Sequence, residues 1–159
     1  MDPLLQLLRR NALAPREDIA RQLGIGVDEV AARIATLERE GRILGYQAIV
    51  DPEQVANGEV TAVIEVKITP ERDGGFDRLA SRIARFDQVT GCYLMSGGYD
   101  LLVFVEGENL REVARFVAER LSTIEGVLST ATHFRLKTYK ENGTLLQAEP
   151  TPARLQVSP

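Results

Sequence analysis

The chain of 159 residues has no tryptophan, a single histidine and a single cysteine. It also has no apolar run near the length of roughly eighteen residues that a membrane-crossing helix needs. One cysteine, Cys92, excludes an internal disulfide, and its apolar surroundings make a buried, unreactive thiol the expected state, as suits a reducing compartment. With so little Cys and His no metal cluster is expected, and no cofactor either. His133 lies in an alternating strand pattern, where a structural role is expected rather than catalysis. The opening MDPLLQLLRRN places Arg9 and Arg10 after a short apolar cluster, the reverse of a signal peptide, so a cytoplasmic protein with no membrane partner is expected. An excess of basic residues is missing as well. Nineteen Lys and Arg stand against twenty-three Asp and Glu, a net charge of -4. General attraction to nucleic acid is thereby excluded, and any DNA contact must come from local geometry.

What is present is a globular composition, 44% apolar and 26% charged, enough for one ordinary domain or two small ones. Two kinds of periodicity divide it. In the first lobe, residues 1–51, the spacing is helical. Asp2 can cap a helix that has Pro3 at its first position and Leu4, Leu7 and Leu8 on one face. PREDIARQLG supplies a second helix, with Ile19 and Leu23 at i, i+4 and Gly24 as its stop. DEVAARIATLEREG supplies a third, striped by Val30, Ile34 and Leu37 and ending at Gly41. Short helices joined by a Gly-containing turn form a helix-turn-helix pattern. RILGYQAIVD then reads as an extended ribbon in the place of a wing, and 52–58 as a hinge.

In residues 59–140 the period changes. VTAVIEVKI alternates, with Ala62, Ile64, Val66 and Ile68 on one face. GFDRLASRIARF is helical through Phe76, Leu79, Ala80 and Ile83. VTGCYLMS and LLVFVEG are strands, and Asn109 caps a helix striped by Leu110, Val113, Val117 and Leu121. VLSTATHFRLKTY reads as a long last strand. This βαββαβ order predicts an α+β, ferredoxin-like domain behind the winged helix-turn-helix. Helices on one sheet face leave the other bare, with Val63 and Val103 as candidates for exposure, and a bare apolar face marks association. The tail, 141–159, is expected to be mobile.

Between the two middle strands lies the corner Ser96-Gly97-Gly98-Tyr99-Asp100. Two glycines permit φ > 0, so a plain tight hairpin is one reading. It is not a phosphate-binding loop, because no helix N-terminus follows it. RIATLEREGRILGYQAIVD, GCYLMSGGYDLLVFVEG and VLSTATHFRLKTYK, in that order and spacing, resemble the Lrp/AsnC family of feast/famine transcription regulators over about residues 4 to 140. The resemblance implies a DNA-binding regulator, homodimeric through its second domain and often octameric, modulated by a small molecule, usually an amino acid. It implies that Ser96, Gly97, Gly98, Tyr99 and Asp100, with Ser129, Thr130 and Thr132 at the start of the last strand, line the effector site. The chemistry suits a free amino acid: glycine N–H groups for its carboxylate, Asp100 for its ammonium.

On the third helix the outward side carries Asp28, Ala32, Ala35, Thr36 and Arg39, flanked by Arg33 and Glu40. Double-stranded DNA is expected to meet Arg33, Thr36, Arg39 and Arg42. Asp28 and Glu29 favour the positive end of the helix dipole yet repel phosphate. Residues 1–58 hold seven arginines against nine carboxylates. An amino-acid-sensing oligomer with little DNA binding is therefore an alternative. A sirohaem-decarboxylase-like enzyme, a branch that resembles the same family, is a rival of a different class, disfavoured by the single His and the net-acidic second half. No catalytic residue is expected.

Overall fold

The computed structural model describes residues 2–55, 58–69 and 76–146. The tail from 147 on and positions 56–57 of the expected hinge lie outside them. The chain divides into two compact units, one ending at Ala48 and one beginning at Ile49.

The first unit holds α1 (Pro3–Arg10), α2 (Arg16–Leu23) and α3 (Val27–Arg39). Asp2 caps α1 as its sequence position requires, its carboxylate accepting from the Leu4 N–H at 2.8 Å. Gly24 ends α2 with φ +68°, a left-handed conformation open to glycine without a Cβ penalty. Leu4, Leu8, Ile19, Ala20, Val30 and Leu37 form the core, with Leu7, Leu23 and Ile34 packed at its margin. The expected wing is not a paired ribbon. Residues 43–50 contain no strand, and Leu44, Tyr46, Ile49 and Val50 are exposed. A ribbon needs a hydrogen-bonding neighbour strand, and none is paired with this segment among the described residues. The segment reaches back to α3 at two points, the Ile43 N–H donating to the Leu37 carbonyl at 3.1 Å and the Tyr46 hydroxyl donating to Glu38 Oε1 at 2.9 Å.

The second unit begins with a short helix, α4 (Pro52–Val55), where a hinge was expected. It continues as β1 (Val60–Ile68), α5 (Asp77–Ile83), β2 (Val89–Leu94), β3 (Leu101–Gly107), α6 (Leu110–Phe116) and β4 (Val127–Phe134). The sheet is antiparallel in the order β2-β3-β1-β4, the ferredoxin-like arrangement. Ala62, Ile64 and Val66 of β1 and Leu101, Val103 and Val105 of β3 share the helix-covered face with Leu79, Ile83, Val113, Phe116 and Leu121. Val103, expected at the surface, is thus fully buried. It pairs with Ile64, an inward residue, and opposite partners in a ladder share a face. Val63 does lie on the other face, beside its partner Phe104.

Three departures have physical causes. A π-turn over Val117–Leu121 follows α6, its Ser122 N–H bonding the Val117 carbonyl. Val113 and Phe116 of α6 and Leu121 at the end of the turn enter the core, Val117 is half-buried and Leu110 stays exposed. β4 ends at Phe134 with one further bond, from the Arg135 N–H to the Thr61 carbonyl at 2.9 Å, because its partner β1 begins at Val60. A second small hairpin, β5 (Lys140–Glu141) and β6 (Thr144–Leu145), occupies the start of the expected tail. It turns on Asn142 and Gly143, both with φ > 0, and Arg135 ties it to the sheet through Glu141 at 3.5 Å and Thr61 at 2.8 Å.

Candidate functional site

The corner between β2 and β3 is closed by the Met95 N–H donating to the Asp100 carbonyl at 2.8 Å. Ser96, Gly97 and Gly98 are exposed, Tyr99 and Asp100 half-buried. Only Gly97 of the two glycines takes a positive φ, +134°, and a Cβ added to Gly98 would meet nothing within 4 Å. Asp100 has a role that its place in the sequence conceals. Its N–H donates to the Val66 carbonyl at 3.0 Å, and its Oδ2 accepts from the Ile68 N–H at 2.8 Å. Ile68 is the next donor of β1 on the side facing β3. There β3 has already turned away, so the carboxylate stands in for the missing strand. A carboxylate offers about four lone-pair sites, so acceptor capacity remains for a ligand.

On the far side of β1, Thr130 pairs with Val66 and Ser129 with Lys67. The corner and the start of β4 thus meet the same end of β1 from opposite sides, roughly two strand spacings or 10 Å apart. Thr130 and Thr132 are opposite the inward Val66 and Ile64, whereas Ser129, opposite the exposed Lys67, faces the bare side. The eight expected effector residues therefore gather at one sheet end but not on one face, with Thr132 set farther along. The Ser122 hydroxyl, which sequence reasoning missed, is 3.3 Å from Thr130 Oγ1. Leu128, skipped where the register shifts from Lys67–Ser129 to Ile68–Val127, is exposed beside them. No local signal in the sequence marks either one.

The bare face carries Val63, Leu102 and Phe104, none of them in the core cluster. Tyr93 meets Phe104 edge-to-face with ring centroids 5.8 Å apart. His133, the expected structural histidine, lies 3.3 Å from Glu65 there. Cys92 is half-buried, and burial pushes its thiol pKa up, as suits an unreactive sulfur.

Of the four expected DNA contacts on and after α3 three are engaged within the helix. Arg33 Nη2 is 2.6 Å from Glu29 Oε1, one helical turn earlier, and Arg39 donates to the half-buried Thr36 hydroxyl at 3.1 Å. Arg42 is exposed beyond Gly41. Asp28 and Glu29 are exposed in the first turn. No cluster of three metal-ligating side chains exists among the described residues, and no described helix is long and apolar enough to cross a membrane.

A helix-turn-helix unit followed in sequence by a ferredoxin-like domain with an open, carboxylate-bearing corner defines a class of two-domain regulators. Residues 61–145 match the family model of the Lrp/AsnC ligand binding domain. The chain is 46% identical over 157 residues to the HTH-type transcriptional regulator YugG of Bacillus subtilis (strain 168), covering 98% of this chain and 95% of that one. It is 29% identical to the proline dehydrogenase transcriptional activator of Rhodobacter capsulatus, over 89% of this chain and 91% of that one. A transcriptional regulator of Neisseria meningitidis in complex with L-Met shares the fold at a TM-score of 0.68 and 24% identity, over 89% of this chain and 93% of that one. The chain belongs to the Lrp/AsnC family of HTH-type transcriptional regulators.

Proposed function

We propose that the protein is a one-component, cytoplasmic transcription regulator. α3 binds double-stranded DNA, the second unit forms a homodimer through its bare sheet face, and an amino acid at the Asp100 corner shifts the assembly. The observation that carries this reading is a ligand-binding domain, matched over residues 61–145, directly following a helix-turn-helix unit. The corner supplies a carboxylate for an ammonium and exposed backbone around Gly97 and Gly98 for a carboxylate. The face bearing Val63, Leu102, Phe104 and Tyr93 supplies the apolar surface for a second copy. A ligand acts only through its preference for one assembly over another, and a coupling of about 1 to 3 kcal/mol is ordinary for such proteins. The reading is non-enzymatic, since His133 is engaged with Glu65 and the relatives are named as regulators.

Calorimetry with a panel of free L-amino acids tests the corner. Asp100→Asn keeps an oxygen for the Ile68 N–H but removes the charge, so it should weaken binding of the recognised amino acid by about tenfold or more while the fold persists. Unchanged affinity in that variant returns the corner to a plain hairpin. Light scattering at micromolar concentration should report at least twice the 17.6 kDa chain mass. A clean monomer removes the dimer.

A second reading, an amino-acid-sensing oligomer with little DNA binding, is favoured by one observation. The start of α3 presents Asp28 and Glu29, and the nearest cation, Arg33, is already paired with Glu29.

A further inference from the structure

Outside the Asp100 corner and the bare sheet face, a cleft of about 380 Å³ lies between α5 and the turn that leads into β4. Its lining is Arg78, Leu79, Ser81, Arg82, Arg85 and Glu125. Arg78, Ser81 and Arg82 share one face of α5, opposite the buried Ile83, and Arg85 lies in the turn that follows the helix. Among the described residues some arginines of this acidic chain, Arg21, Arg33 and Arg135, are matched with a carboxylate, and others, Arg42 and Arg111 among them, are not. Arg82 and Arg85 have no such partner among the described residues. Leu79 gives the cleft a buried floor, close to where a Cβ on Gly126 would fall.

We propose that this cleft is a binding site for a compact oxyanion, a metabolite bearing a phosphate group or clustered carboxylates. Planar guanidinium groups bind such groups in a bidentate fashion, and a concavity of this size suits a small molecule better than an extended strand. Ser81 adds a hydroxyl donor, and the lone acid, Glu125, selects for a ligand that also carries a donor or cationic group. The site is separate from the corner and linked to it through the end of β1. The carbonyl of Gly126, next to Glu125, accepts from the Thr69 N–H at 2.8 Å, and the preceding Ile68 N–H is the one that Asp100 holds. The assignment does not rest on the amino-acid reading of the corner.

Calorimetry on the full chain at fixed ionic strength, with inorganic pyrophosphate and with citrate as probes, tests it. At least one should bind with submillimolar affinity, and comparison of the two separates phosphate from carboxylate as the recognised group. Arg82→Gln and Arg85→Gln should each weaken binding by about tenfold, the scale of one charge-assisted hydrogen bond. Arg111→Gln, the same change of charge on an exposed α6 residue, should leave it unaltered, and so should Asp100→Asn. Absence of binding overturns the proposal. So does an equal loss in Arg111→Gln, which reduces the effect to net charge. If neither probe binds while Arg82→Gln lowers affinity for duplex DNA, the cleft is a backbone-phosphate surface and the metabolite site is wrong.

Discussion

The two units differ most in how much they bury. Among the described residues the first closes on six buried apolar residues from three short helices, the second on thirteen from the central strands β1 and β3, two helices and the turns that follow α6. A small core leaves a unit of fewer than fifty residues marginal alone. In the proposed function its surface is also where its task lies, because there α3 offers side chains to DNA. In the second unit the core supports a rigid sheet, and the candidate site sits where the sheet's hydrogen bonding runs out, at the end of β1. The contrast teaches that one unit depends on which charges its surface leaves available, the other on how its backbone is completed.

Core truncation should expose the contrast most strongly. Leu37→Ala and Ile64→Ala each remove a buried side chain and should cost about 2 to 5 kcal/mol. Leu37→Ala should lower an early calorimetric transition belonging to the helical unit and leave the later one in place, whereas Ile64→Ala should lower the later one. A single transition that moves equally in both variants would show that the units do not melt separately.

A change of up to about a hundredfold, or 2.7 kcal/mol, is expected from the start of α3. Replacing Asp28 with Ser and Glu29 with Thr removes two charges that repel phosphate and releases Arg33 from its 2.6 Å pair. Duplex DNA affinity, read by fluorescence anisotropy, should tighten by several-fold to a hundredfold. No change would mean that α3 does not face DNA.

Smaller effects should separate the residues of the corner. Asp100→Ala leaves the Ile68 N–H without its acceptor and should cost about 1 to 3 kcal/mol in denaturant unfolding. Gly97→Ala, forced to φ +134°, should cost about 1 to 3 kcal/mol, while Gly98→Ala, with open space around its Cβ, should stay within about half a kcal/mol. Equal effects at the two glycines would show that the corner adopts another conformation in solution.

The same contrast governs what could be read in advance. Apolar period located all three helices of the first unit and all four main strands, because core facing imposes a repeat that residue types reveal. The cap at Asp2 and the stop at Gly24 were legible for the same local reason. What escaped depends on partners distant in the chain or on a one-residue shift. The inward face of α6 takes Phe116 and leaves Leu110 exposed, and the π-turn after it has no change of composition to announce it. The bulge at Leu128 exists only relative to β1. The bond from Ile68 to Asp100 spans 32 positions, so the carboxylate looked unattached in sequence. The Asn142-Gly143 turn did carry a recognisable hairpin signal, which the polar tail around it obscured. At the candidate sites residue identities were readable, but their engagement, Arg33 with Glu29 and Arg39 with Thr36, was not.

The central claim is that one unit binds DNA and the other changes that binding when it holds an amino acid. Anisotropy of the duplex upstream of the protein's own gene, from 50 to 200 mM salt with and without the amino acid found by calorimetry, tests it most directly. With at most about six arginine contacts per dimer, log K should fall with log[salt] at a slope no steeper than about -5, and the amino acid should shift affinity by roughly 5- to 150-fold. No binding at the lowest salt, or binding that the amino acid leaves unmoved, would contradict the account.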